Sequence, residues 1–250
     1  MYRFLFTPRW IVAHVIVVML AITFLSLGFW QLRRLDERRL ENQVFLSRFG
    51  APVEDVEALL AAAGADYASL EYHRARITGS FEPEAELLIR SQVYQGRAGF
   101  HVLSPLRTTA GLVILVNRGW MPLEMDQPPV AAAPPEGPTT VEGVLRASQQ
   151  RGSLGPVDQP DAAVLARIDL ELLAGRYEGD LAPVYLQMTT KLGELPVLIA
   201  TPSFTDQGPH LPYAVQWYSF TLIGLVGYGF LIRRNRQGQI RNDLDIGEPS

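Results

Sequence analysis

The sequence predicts an α+β membrane protein in which two transmembrane helices, arranged as a hairpin with both termini inside, flank a β-rich, mostly antiparallel extracytoplasmic domain. Two observations set the frame: residues 10–32 and 211–232 hold no Asp, Glu, Lys or Arg, runs of 23 and 22 residues in a chain of 250. At about 1.5 Å rise per residue, either run crosses the apolar core of a bilayer as a helix. A third observation fills the frame, because the intervening residues fall into short apolar or alternating segments separated by Gly and Pro.

Residues 1–9 are read as a cytoplasmic N-terminus and residues 10–32 as the first transmembrane helix. Arg3 and Arg9 would also suit a secretory signal, but the apolar run is too long and no small-x-small site follows, so an uncleaved anchor is expected. The short lead before it leaves no room for a mitochondrial presequence, which favours a bacterial plasma membrane and a multi-pass protein. Residues 33–210 form the predicted outer domain. Within it, residues 54–64 read as a short acidic helix ended by Gly64. Strands follow at 71–81, 86–93, 98–107, 112–119 and 139–147. The passage from Pro122 to Pro138 holds six prolines and is expected to be a surface connection dividing the domain. Residues 163–176 suggest a helix, and 184–189 and 196–200 suggest two more strands. Residues 211–232 are the second transmembrane helix, and 233–250 a cytoplasmic tail.

Arg233, Arg234 and Arg236 directly after the second span place that tail inside. Arg33, Arg34, Arg38 and Arg39 argue the other way, so the orientation rests on the second span. Gly224, Gly227 and Gly229 give this span a thin face, expected to pack on the first.

Composition narrows the function classes. The chain is 48% hydrophobic and 19% charged, which excludes disorder and collagen. It has no cysteine, which removes disulfides, cysteine-held zinc, iron–sulfur clusters and thiol nucleophiles. Residues 33–210 carry 16 basic and 23 acidic groups, a net −7, and no nucleic acid partner is expected of such a surface. There is no HExxH, GxSxG, GxGxxG or phosphate-binding loop, and the protein is not expected to be an enzyme. The acids Asp158 and Asp161, and Glu82, Glu84 and Glu86, read as solvated surface carboxylates.

The strongest chemical signal lies where the predicted spans meet the outer surface. His210 precedes the second span, and Tyr213, Gln216, Trp217 and Phe220 follow at helical spacing. Trp30, Gln31, Arg33 and Arg34 stand at the same level of the first span. An aromatic belt with snorkelling arginines is the ordinary explanation, but it accounts poorly for Gln31 and Gln216 at that depth. A haem site is the sharper one: His210 as metal ligand on iron, aromatic rings against the macrocycle, and Arg33 and Arg34 on the propionates. His14 falls near the inner surface, level with about residue 229, too far from His210 to be a second ligand, and a structural or interfacial role is expected. His73 and His101 read as packed or surface histidines in strands. The run NRGW at 117–120 suits a bulge or tight turn, with Trp120 covering the sheet or meeting the membrane.

The segments LGFWQLRR (27–34), YHRARITGSF (72–81), GFHVLSPLR (99–107), LVNRGWMP (115–122) and PHLPYAVQWYSF (209–220) resemble, in order, those of the surfeit locus 1 family of cytochrome c oxidase assembly factors. Residues 123–137 and 148–180 carry no part of the resemblance. It implies two helices flanking an extracytoplasmic domain and a role in building the haem a centre of the large oxidase subunit. It further implies direct, transient haem a binding through the histidine matching His210. The large subunit of cytochrome c oxidase and haem a synthase are then the expected protein partners, with membrane lipid around the helices. The strand order and oligomeric state stay open, a homo-oligomer included. A scaffold that docks oxidase subunit or synthase without touching haem is the alternative; a membrane-tethered hydrolase using loop carboxylates lacks any motif.

Overall fold

The computed structural model describes residues 3–125, 127–153, 155–200 and 208–245. Residues 1–2 and 246–250 of the predicted terminal segments, and 201–207 of the predicted outer domain, lie outside them. The chain forms two compact units, Met1–Gln43 with Phe204–Ser250, and Val44–Ser203.

The first unit is a pair of long helices, α1 (Pro8–Phe49, whose last residues belong to the second unit) and α4 (His210–Asp245). Both are long and apolar enough to cross a membrane. The apolar stretch of α1 ends at Leu32, as the charge pattern predicts, but the helix runs on through LDERRLENQ. Ion pairs one turn apart support this polar extension: Arg34 to Glu37 at 2.7 Å, Arg38 to Glu41 at 3.1 Å and Arg39 to Asp36 at 3.8 Å. The expected packing of Gly224, Gly227 and Gly229 does not occur, since a Cβ at any of them would have nothing within 4 Å. Close approach falls instead at Gly28, where a Cβ would stand 2.6 Å from the Tyr218 ring. An aromatic side chain thus fills the space that the glycine leaves on the opposite helix.

The second unit is built on one sheet. Its elements in chain order are β1 (Glu54–Asp55), α2 (Val56–Ala63), β2 (Arg74–Phe81), β3 (Leu87–Tyr94), β4 (Arg97–Arg107), β5 (Val113–Pro122), β6 (Pro138–Ala147), β7 (Val164–Leu165), α3 (Leu170–Leu173) and β8 (Val184–Met188). The strand order is β1-β2-β6-β8-β5-β4-β3-β7. A further pairing of Ser80 and Phe81 of β2 with Arg107 and Leu106 of β4 closes β2, β6, β8, β5 and β4 into a barrel. The pairings are mostly antiparallel, as expected, with β1–β2, β5–β8 and β3–β7 parallel.

Alternation along the strands fills the barrel. Ala75, Ile77, Leu106, Ile114, Val116, Val141, Leu145 and Leu186 are buried in one cluster, with Val56 and Leu59 of α2 packed into it. The strand segments predicted at 71–81, 86–93, 98–107, 112–119, 139–147 and 184–189 all appear, within a few residues of their expected limits.

Three expectations fail. Residues 163–176 do not form one helix; only Leu170–Leu173 do, after the short strand β7. Side chains take the backbone donors there: Asp158 accepts from Ala166 N at 2.8 Å, Gln149 from Ile168 N at 3.1 Å and Ser148 from Leu170 N at 3.0 Å. Such bonds compete with a helical ladder. The apolar residues Leu165, Ile168, Leu170, Leu173 and Tyr177 instead cover the outside of the barrel over Leu87, Leu103 and Leu115. Residues 196–200 make only a single bridge, in which the Val197 and Trp120 N–H groups each donate to the other's carbonyl. The proline-rich passage is not merely a surface connection: Val130 is buried in a cluster with Leu88, Phe100, Val102 and Met121.

Candidate functional site

His210 sits at the first position of α4, half-buried, where Pro209 and Pro212 on either side suit the start of a helix. Its Nδ1 lies 2.9 Å from Oε1 of Gln31 on α1. A carbonyl oxygen only accepts, so Nδ1–H donates, and Nε2 has no hydrogen-bond partner among the described residues. The Nε2 edge faces the backbone of Gly208, where a Cβ would stand 3.3 Å from Cδ2 and Nε2. A neutral imidazole whose second nitrogen is held by an acceptor is the form that binds a transition metal.

Around this pair the sequence-predicted residues divide. Trp217 is half-buried against Phe24 of α1, with ring centroids 5.5 Å apart. Tyr213 and Trp30 are each 47% exposed, and Gln216 is exposed without a hydrogen bond among the described residues. Gln31 therefore makes the interhelical bond that its polarity suggests, whereas Gln216 does not. Arg33 and Arg34 are exposed; Arg34 pairs with Glu37, but both partners are solvent-accessible, so the contact is weak and exchangeable. Arg33 has no ion pair among the described residues.

The other histidines have separate settings. His14 meets the hydroxyl of Tyr228 at 2.7 Å, one residue from the level expected for it in a hairpin. His101 is half-buried beside Asn117, and burial lowers its pKa to about 4. His73 is half-buried in the sheet unit. Among the described residues no three His, Asp or Glu side chains cluster as a metal site.

One polar cluster escaped sequence reasoning. Glu86, expected at the surface, is 2% exposed and paired at 2.7 Å with Arg118, itself 3% exposed. Ser104 donates to Glu86, Val130 N donates to its other oxygen at 3.0 Å, and Arg118 also reaches Ala132 O. Burial pulls the Arg118 guanidinium below the usual arginine range while Glu86 holds it up. Asp158 is also buried rather than solvated, bonded to Ala166 N and paired with Arg167 at 3.3 Å, and Glu82 is tied to Arg107. The NRGW run does form the expected bulge. The register of β4 and β5 shifts so that Arg118 is the extra residue between Gly119 and Asn117. Gly119 carries it with φ +136°, and Trp120, 4% exposed, covers the sheet. The bulge was legible; what Arg118 would meet across the sheet was not.

Two helices of membrane-spanning length joined by a His–Gln bond, with a closed β-barrel unit between them in sequence, define the class of a membrane-associated protein with a sheet domain. The model of the SURF1 family matches residues 18–222, most of the chain, and the protein belongs to that family. It is similar to a SURF1-like protein of Monosiga brevicollis, 32% identical over 235 residues that cover 87% of each chain. A SURF1-like protein of Rickettsia felis is 29% identical over 88% of this chain and 96% of its own. An uncharacterized SURF1-like protein of Mycobacterium tuberculosis is 27% identical over 91% and 84%.

Proposed function

We propose that the protein is an assembly factor for haem-a-containing cytochrome c oxidase, holding haem a at His210 and assisting its insertion into the large subunit. The SURF1 family is known generally for cytochrome oxidase assembly, which supports the broader half of this reading. The observation that carries the finer half is the bond from His210 Nδ1–H to Gln31, which frees Nε2 for iron. Trp217 and Phe24, about two turns further along the same two helices, offer a pair of rings, and Arg33 is the cation left for a propionate. The half-exposed setting suits cargo, because a ligand held too tightly is not released to the next protein. Haem a synthase is the proposed donor and the large oxidase subunit the acceptor. Arg233, Arg234 and Arg236 support a bacterial plasma membrane orientation with both termini inside and the sheet domain outside.

Reduced-minus-oxidised spectra of membranes test this directly. A strain lacking the gene should lose the haem a band, wild type should restore it, and His210→Ala should not. Haem a co-purifying with the full chain should fall on the order of tenfold in His210→Ala, the factor typical of a lost ligand or its support.

The same bond favours a second reading, a scaffold without cofactor, since joining α1 to α4 is by itself a use for both residues. In that case His210→Ala restores the band as well as wild type does.

A further inference from the structure

The two helices also leave a cavity of about 560 Å³ near the start of α1 and in the second half of α4. Its walls carry Arg9 and Trp10 from α1, and Tyr228, Leu231, Arg234 and Asn235 from α4. Two features suit it to an anionic ligand. The first is uncompensated positive charge: neither Arg9 nor Arg234 has an ion pair among the described residues. No acid occurs in residues 1–35 or 207–242 to supply one. The second is a fixed aromatic wall. The Tyr228 hydroxyl is engaged by His14 at 2.7 Å, and Trp10 leans on the Tyr228 ring with centroids 6.3 Å apart.

We propose that this cavity binds the headgroup of an anionic phospholipid, with Arg9 and Arg234 on the phosphate and Asn235 donating a hydrogen bond. The Trp10, Tyr228 and Leu231 side chains line the beginning of the acyl chains. Arginine pairs with a phosphate through two parallel N–H bonds, and basic pockets between membrane helices select acidic headgroups by the same chemistry. The lipid is favoured over free phosphate because the cavity is lined in part by Trp10, Ala13 and Leu231 and lies between helices whose Leu and Val side chains are largely exposed. The proposal rests on the membrane reading of the two helices. It is independent of haem binding and of which terminus lies inside.

The test uses the full chain, expressed in membranes, purified in mild detergent and exchanged into vesicles of equimolar phosphatidylcholine and phosphatidylglycerol. Native mass spectrometry then counts the lipid that stays bound after re-extraction. The expected result is retained phosphatidylglycerol in preference to phosphatidylcholine, not displaced by inorganic phosphate. Arg9→Gln with Arg234→Gln should lower retention on the order of tenfold. Arg9→Lys with Arg234→Lys should retain most of it, and Arg233→Gln, which removes a charge outside the cavity, should leave it unchanged. Equal retention of both lipids, no loss in the double Gln variant, or displacement by inorganic phosphate overturns the proposal. Release of the unaltered chain from membranes by alkaline carbonate overturns it together with the membrane reading, whereas a chain that resists carbonate but shows no lipid preference overturns it alone.

Discussion

Glu86 and Arg118 in the barrel unit meet at 2% and 3% exposure, whereas His210 and Gln31 in the helix pair meet at a half-buried contact. In the barrel both carboxylate oxygens and most guanidinium nitrogens are satisfied by Ser104, Val130 and Ala132, so charge is fixed inside protein. Between the two helices the polar side-chain contacts among the described residues are single hydrogen bonds, His210 to Gln31 and His14 to Tyr228, and the apolar surface around them is turned outward. The first arrangement resists any change of partner. The second uses one nitrogen of each imidazole and, among the described residues, gives the other no hydrogen-bond partner.

The comparison breaks most visibly at Arg118. Arg118→Ala leaves Glu86 buried without its cation, and the full chain in detergent should lose about 3–5 kcal/mol of stability to urea unfolding. Glu86→Leu with Arg118→Met, which removes both charges at similar volume, should cost much less. If the two variants unfold alike, the pair is not held as a buried charge.

His101 gives a smaller and pH-dependent effect in the same unit. Its folded pKa of about 4 lies below the ordinary 6.5, so the unfolded chain binds the extra proton first. The stability that neutral His101 contributes is full above pH 6.5 and is lost as pH falls from there toward 4. The urea midpoint should decline across that window, and His101→Gln should flatten the decline. A midpoint equally steep in the variant would assign the titration to another group.

The smallest effect sharpens the helix side of the comparison. Gly28→Ala drives a Cβ into the Tyr218 ring and should weaken the pairing of α1 and α4 by roughly 1–2 kcal/mol, the scale of a helix contact in a membrane. Gly224→Ala, with open space around it, should be neutral or slightly stabilising. Cross-linking between cysteines introduced at the His14 and Tyr228 levels reads both.

The two long apolar helices, most strands, the Gly64 helix end and the NRGW bulge were legible because each is a local pattern: charge-free length, alternation, or a residue that the backbone demands. The level of His14 against residue 228 also followed, since helix rise converts sequence distance into depth. The helix predicted for 163–176 failed because its donors are taken by Asp158, Gln149 and Ser148, two of which precede it by about two turns or more of chain.

What the sequence determined by itself is therefore the class of each segment: apolar anchor, alternating strand, turn, polar end. Only the tertiary structure decided which of several equivalent groups are used. Gln31 rather than Gln216 meets His210, Gly28 rather than Gly224 admits a neighbour, and Glu86 rather than Glu84 receives Arg118. The physical reason is the same in each case. Composition and period specify what a residue can do, but a hydrogen bond or a close contact requires a partner within a few ångströms, and that partner is chosen by how distant segments pack.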